Sequence, residues 1–211
     1  MRLSLTGLIR NPAESSQESP LLVLLHGLGS NEQDLMGLAP ELDPELRIVA
    51  LRAPFAYGGM GYAWFSIDWT PDGIQVNTDQ ARQSIDTLIE DLEALQLEFS
   101  PSKLFLGGFS QGAIMSFGVS LRRPDLLDGV LLLSGRDVPE FYATGAADIQ
   151  GKPYLVQHGT EDTVLPIEGA RDLRATLERL GADVTYHEYP MGHTIDEDSL
   201  ADLNAWLSPR L

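Results

Sequence analysis

The chain has 211 residues, 43% of them hydrophobic and 21% charged, a composition that excludes disordered, collagen-like and coiled-coil classes. It has no cysteine, so disulfide frameworks, thiolate nucleophiles and thiolate-bound metal or iron–sulfur centres are excluded. Its 14 basic and 31 acidic residues give a net charge of −17, which repels phosphate backbones and anionic headgroups, so no nucleic acid partner is expected. Only Lys103 and Lys152 are lysines, and so acidic a surface suits salt adaptation as readily as function.

The opening MRLSLTGLIR interleaves polar and apolar positions and lacks the apolar region of a secretory signal. No apolar run approaches the roughly 18 residues of a membrane span. A cytoplasmic protein without stable membrane insertion is expected. After the polar stretch Asn11 to Ser19, Leu21 to His26 (LLVLLH) has the continuous apolar character of a strand buried on both faces. Similar runs recur at Arg47–Leu51, Lys103–Leu106, Val130–Leu133, Pro153–Gln157 and Val184–Tyr189. Between the second and third lies Ala53 to Asn77, rich in glycine and aromatics, which reads as a long functional loop. Apolar positions three and four apart then mark a helix from Ala81 to Leu95, another from Ile167 to Leu180, and a last one through Leu200, Leu203 and Leu207. Asp196, Glu197 and Asp198 lie at the start of the last, where the helix dipole favours acids. Gln111 to Leu121 leaves little room for a polar face and should be a buried helix. Alternating strands and helices predict an α/β protein with a mostly parallel, doubly wound sheet, residues 1–211 forming one domain without a large lid domain.

Gly108-Phe109-Ser110-Gln111-Gly112 matches G-x-S-x-G between a strand and the buried helix, where a sharp turn lifts a serine oxygen out at the sheet's carboxyl edge. A serine hydroxyl needs a base within hydrogen-bond reach, itself oriented by a third group. Of the four histidines, His26 and His158 end strands and His187 sits inside one, whereas His193 lies in a loop before the last helix, on the functional face of an open sheet. Asp162 follows the strand at Pro153 and supplies the acid, with Glu161 and Asp137 as rivals. The order Ser110, Asp162, His193 is that of α/β-hydrolases. His26-Gly27-Leu28-Gly29-Ser30 ends the first buried strand, so the backbone amides of Leu28 and Gln111 are the expected oxyanion donors. A dinucleotide site fails because Glu32 stands where a third glycine is needed, and a zinc peptidase helix fails because Met191 stands where a second histidine is needed.

These segments resemble the phospholipase/carboxylesterase group of small α/β-hydrolases, which includes acyl-protein thioesterases and bacterial carboxylesterases. The resemblance runs from Leu21 to His193 through LLHGLGSN, GGFSQG, HGTEDTVLP and MGH in that order. It implies Ser110 as nucleophile, Asp162 and His193 as its partners, the Leu28 and Gln111 amides as the oxyanion hole, and ester or thioester hydrolysis with no cofactor and no metal. It also allows a homodimer. Many relatives carry an aspartate directly after a Trp–Phe/Tyr pair; here Trp64-Phe65 is followed by Ser66, and the aspartate is Asp68. The expected function is a serine carboxylesterase acting on neutral short- to medium-chain esters, with Tyr62, Trp64 and Phe65 contacting the substrate and Trp64 foremost. An acyl thioesterase or lysophospholipase using the same residues is the alternative, and a non-catalytic binding protein on the same fold is a remote one.

Overall fold

The computed structural model describes residues 3–14, 18–59, 61–70, 73–139 and 148–211. The first strands are β1 (Gly7–Arg10), β2 (Leu21–Leu25) and β3 (Arg47–Leu51), with the short helix α1 (Glu32–Met36) between the last two. Two small hairpins follow, β4 (Phe55–Tyr57) with β5 (Gly61–Ala63) and β6 (Ile67–Thr70) with β7 (Gly73–Val76). The remaining elements are α2 (Thr78–Phe99), β8 (Leu104–Phe109), α3 (Gln111–Arg122), β9 (Gly129–Leu133), β10 (Pro153–Gly159), α4 (Ile167–Arg179), β11 (Asp183–Tyr189) and α5 (Glu197–Leu207).

Seven strands form one sheet in the order β1-β3-β2-β8-β9-β10-β11, in which every pairing is parallel except that of β1 with β3. Each strand of the centre reads as a continuous apolar run because both faces are covered. Val23, Leu106, Val130 and Val156 pack on α2, α3 and α4, while Leu24, Phe105, Leu131 and Leu155 pack toward α1 and α5. The helix α3 is buried at every position except Arg122, as its sequence predicts. In α2 the buried stripe Ala81, Ile85, Leu88, Leu92 and Leu95 repeats every three or four residues, and the Asn77 side chain accepts from the Gln80 N–H at its start. A capping box between Asp196 and Ser199 begins α5, with Glu197 and Asp198 in its first turn.

Three features depart from the sequence reading. β1, a short edge strand with Leu8 and Ile9 partly exposed, was not expected from so mixed a segment. α1 is one turn and a half long, too short for periodicity to reveal it. The stretch expected as a loop from Ala53 to Asn77 holds the two hairpins; positions 60, 71 and 72 of it lie outside the described residues, as do positions 15–17 of the polar stretch before β2.

The parallel register has a functional consequence. Leu25 pairs with Gly108, Gly108 with Leu132, and Leu133 with Gln157, so the carboxyl ends of β2, β8, β9 and β10 lie side by side. The segments leaving those four ends converge on one edge of the sheet, the usual place for a ligand in an open α/β fold.

Candidate active site

Ser110 stands at the junction of β8 and α3 with φ 55° and ψ −115°, a conformation few non-glycine residues adopt. Its N–H donates to the Leu133 carbonyl, 2.8 Å away, which ties the turn to β9. Tightness of this turn dictates the flanking glycines: a Cβ on Gly108 would fall inside the Gly112 backbone, and one on Gly112 inside the carbonyl of Leu25.

His193 reaches Ser110 from the loop after β11, with Nε2 2.9 Å from the serine Oγ, and its Nδ1 lies 2.6 Å from Asp162 Oδ2. Phe109 packs against the imidazole with ring centroids 4.8 Å apart. The other oxygen of Asp162, Oδ1, accepts the N–H groups of Val164 and Leu165, each at 2.8 Å. Burial by itself pushes the Asp162 carboxyl up, but the bonds from His193, Leu165 and Val164 outweigh it and hold the group below the ordinary carboxylate range. The structure thus joins the serine, imidazole and carboxylate in one hydrogen-bonded line. The rivals for the acid lie elsewhere: the Asp137 carboxylate accepts from the Thr176 hydroxyl of α4 at 2.8 Å, and Glu161 is exposed.

The remaining histidines have other surroundings. His158 is fully buried, bonds through Nε2 to the Leu165 carbonyl at 2.8 Å and lies 3.2 Å from Asp162 Oδ2, behind the carboxylate rather than beside the serine. His26 accepts the Ala53 N–H through Nε2 at 3.0 Å and lies 2.7 Å from the Gly27 carbonyl through Nδ1. Burial lowers its pKa, in keeping with a neutral ring that pins the end of β2 to the segment after β3. His187 is partly exposed on β11.

Leu28 and Gln111 border the same pocket as Ser110, and no acceptor among the described residues takes the backbone N–H of either one. Gln111 begins α3, where the first N–H groups have no partner within the helix. Its side chain has a role the sequence did not reveal: Oε1 accepts the Trp64 N–H and Nε2 donates to the Phe65 carbonyl, both at 2.8 Å, so it clamps the aromatic segment over the start of α3.

That segment corrects an expectation. Trp64 is fully buried, donates its indole N–H to the His26 carbonyl and accepts the Ser84 hydroxyl on its own carbonyl, so it supports the pocket from behind and does not line it. Tyr62 also stays out of the pocket; its backbone exchanges hydrogen bonds with Gly29 and Ser30, and its ring lies under the guanidinium of Arg52, which is paired with Glu32. Only Phe65 of the three reaches the cavity. The cavity measures about 530 Å³, and its apolar walls are Phe65, Ile67, Val76, Phe109, Ile114 and Leu165, with Ser110 and His193 at one side. Ile67 and Val76 come from the second hairpin, whose shape no local pattern announced. Among the described residues no group of three or more His, Cys, Asp or Glu side chains is arranged to hold a metal ion, and no helix is long and apolar enough to cross a membrane.

A chain crystallised as esterase PE8 is 31% identical, with a TM-score of 0.87 over 99% of this chain and all of that one. Acyl-protein thioesterase 1 of Kluyveromyces lactis is 27% identical over 96% of this chain and 97% of its own length, and a rice (Oryza sativa subsp. japonica) protein named as a probable carboxylesterase is 29% identical over 89% and 86%. The sequence profile of the phospholipase/carboxylesterase family matches residues 9–210. The chain therefore belongs to that family of α/β-hydrolases, whose members are esterases and thioesterases.

Proposed function

We propose that the protein is a serine carboxylesterase that hydrolyses short- to medium-chain esters through an acyl-enzyme on Ser110. The observation that carries this reading is the unbroken line from Ser110 through His193 to Asp162, opening onto an apolar cavity large enough for a small ester. His193 Nε2 takes the Ser110 proton as the hydroxyl oxygen attacks the ester carbonyl. Asp162 Oδ2 accepts a hydrogen bond from the Nδ1–H, which stays on the ring, and so fixes the tautomer and stabilises the imidazolium that forms. The developing oxyanion turns toward the Leu28 and Gln111 N–H groups, which no acceptor among the described residues holds. The imidazolium then protonates the departing alcohol, and water, activated by the same ring, releases the acid and restores Ser110.

A thioester is the second reading, favoured by the similarity to acyl-protein thioesterase 1, since nothing in this proton path distinguishes an alcohol from a thiol leaving group. A hydrolysis series of matched oxygen esters and thioesters from two to about sixteen acyl carbons tests both. Burying one methylene is worth about 0.8 kcal/mol, so kcat/KM should climb by up to a few-fold per carbon and then level off where the cavity ends. A maximum at long, insoluble lipids would overturn the short-chain reading, and thioesters surpassing their oxygen analogues would favour the second.

A further inference from the structure

The cavity beside Ser110 is apolar except for a few groups, and one of those is a cation with no anionic partner among the described residues. Arg136 follows β9 and lines the cavity, half-buried, opposite Gly169 of α4. No hydrogen bond or ion pair joins its guanidinium to any described residue. That is unexpected in a chain with 31 acids for 14 bases. Arg52, Arg122, Arg123, Arg171, Arg174 and Lys103 each hold an acidic partner. The neighbouring carboxylates are otherwise engaged: Asp137 accepts from Thr176, Asp162 from His193 and the backbone, and Asp34, exposed at the cavity's edge, from the Ser30 hydroxyl at 2.7 Å. The backbone that carries Arg136 is also costly to build. Ser134 adopts φ 49°, rare for a residue with a side chain, and Gly135 lies so close to α3 that a Cβ there would approach the Ala113 Cβ to 2.7 Å.

We propose that Arg136 is a specificity-determining residue that makes this pocket select esters bearing an anionic group, a carboxylate, on a part of the substrate away from the scissile carbonyl. A guanidinium meets a carboxylate with two parallel hydrogen bonds and binds it in a fixed orientation. The net charge of −17 does not oppose this at close range. At physiological salt the screening length is about 8 Å, so distant surface acids fade while a cation inside the pocket, partly shielded from water, keeps its pull. The expectation of uncharged substrates, drawn from net charge alone, therefore gives way to local charge at the pocket.

The proposal rests on the esterase reading, and the test keeps the two apart. Hydrolysis is measured for monomethyl esters of four- to eight-carbon dicarboxylic acids, with the anion on the acyl side, and for acetyl esters of hydroxy acids, with the anion on the alcohol side. Each is compared with an uncharged analogue of equal length whose carboxylate is replaced by a primary amide. The wild-type protein should favour the anionic member of at least one series in kcat/KM by about tenfold or more, the scale of one charged hydrogen bond, and the preference should shrink as salt is raised. Arg136→Gln should reduce that anionic-to-neutral ratio about tenfold, mainly through KM, and Arg136→Lys should retain part of it. Wild-type preference for the neutral member in both series, or a ratio unchanged by Arg136→Gln, would overturn the proposal. Absence of hydrolysis for every ester, charged or not, would instead overturn the esterase reading. Should Arg136→Gln fail to fold, the wild-type ratio and its salt dependence still decide.

Discussion

Asp162 divides its two oxygens between two tasks, Oδ1 holding the backbone of Val164 and Leu165 and Oδ2 facing His193. An asparagine could keep the first task with its carbonyl while turning an NH2 group toward Nδ1, where a donor would meet a donor. Asp162→Asn should therefore fold but lose about 10³–10⁴ in kcat through the wrong imidazole tautomer, whereas Asp137→Asn, at a carboxylate that accepts from Thr176 and does not touch His193, should stay within a few-fold of wild type in steady-state assays. A crippled Asp137→Asn enzyme would move the acid to the wrong strand. Phe65 and Trp64 make a second contrast. Phe65→Ala should lower kcat/KM more for long acyl chains than for short ones, because its ring lines the cavity. Trp64→Ala removes a fully buried ring and its bond to His26, so it should cost about 3–5 kcal/mol of stability and depress activity at every chain length alike. Denaturant melts beside a chain-length series separate the two. The meeting of Ser110, Asp162 and His193 was legible in the sequence because each follows a strand and the three residue types, in that chain order, match a nucleophile, an acid and a base. Trp64 was misread because a glycine-rich setting suggests exposure, while its burial depends on Gln111, Ser84 and His26, distant in sequence.

At the scale of elements, long strands and helices were readable because periodicity and length reinforce one another. The hairpins of residues 55–76 were not, since three- and four-residue strands carry no period and owe their place to contacts such as those of Gln111 with Trp64 and Phe65. β8 runs three residues beyond its apolar pattern, through Gly107, which lies against Leu131 and Leu24, and Gly108, which lies against the Gly112 backbone of α3. The edge strand β11 is fastened to α4 by a two-pronged contact of Arg171 with Glu188, which also accepts the Tyr186 hydroxyl. Arg171 and Tyr186 together hold the Glu188 carboxyl down at about 2. Since an unfolded glutamate titrates near 4.3, this contact stabilises the fold above that pH and its contribution disappears as pH falls toward about 2. Glu188→Gln should accordingly flatten the stability profile between about pH 4 and 2; a profile unchanged over that interval would show that the contact contributes nothing.

For the molecule as a whole, the sheet brings together residues far apart in sequence: Leu28, Ser110, Arg136, Asp162 and His193 follow β2, β8, β9, β10 and β11 respectively, all leaving the same edge. The doubly wound architecture was legible from the alternation of apolar runs, yet the pocket's charge was not. Net charge is a sum over the surface, whereas the pocket senses Arg136 at short range. The excess of 17 negative charges should still act on stability: with repulsion spread over the surface, added salt should raise Tm by a few degrees between about 0.01 and 0.5 M, and a falling Tm would mean that ion pairs outweigh the repulsion. The central claim concerns one oxygen atom. Incubating the protein with a fluorophosphonate and locating the adduct by intact mass and peptide mapping addresses it directly. One equivalent on Ser110, coincident with loss of esterase activity and absent from Ser110→Ala, is the predicted result. A fully active protein without the adduct, or inactivation through a different residue, would contradict it.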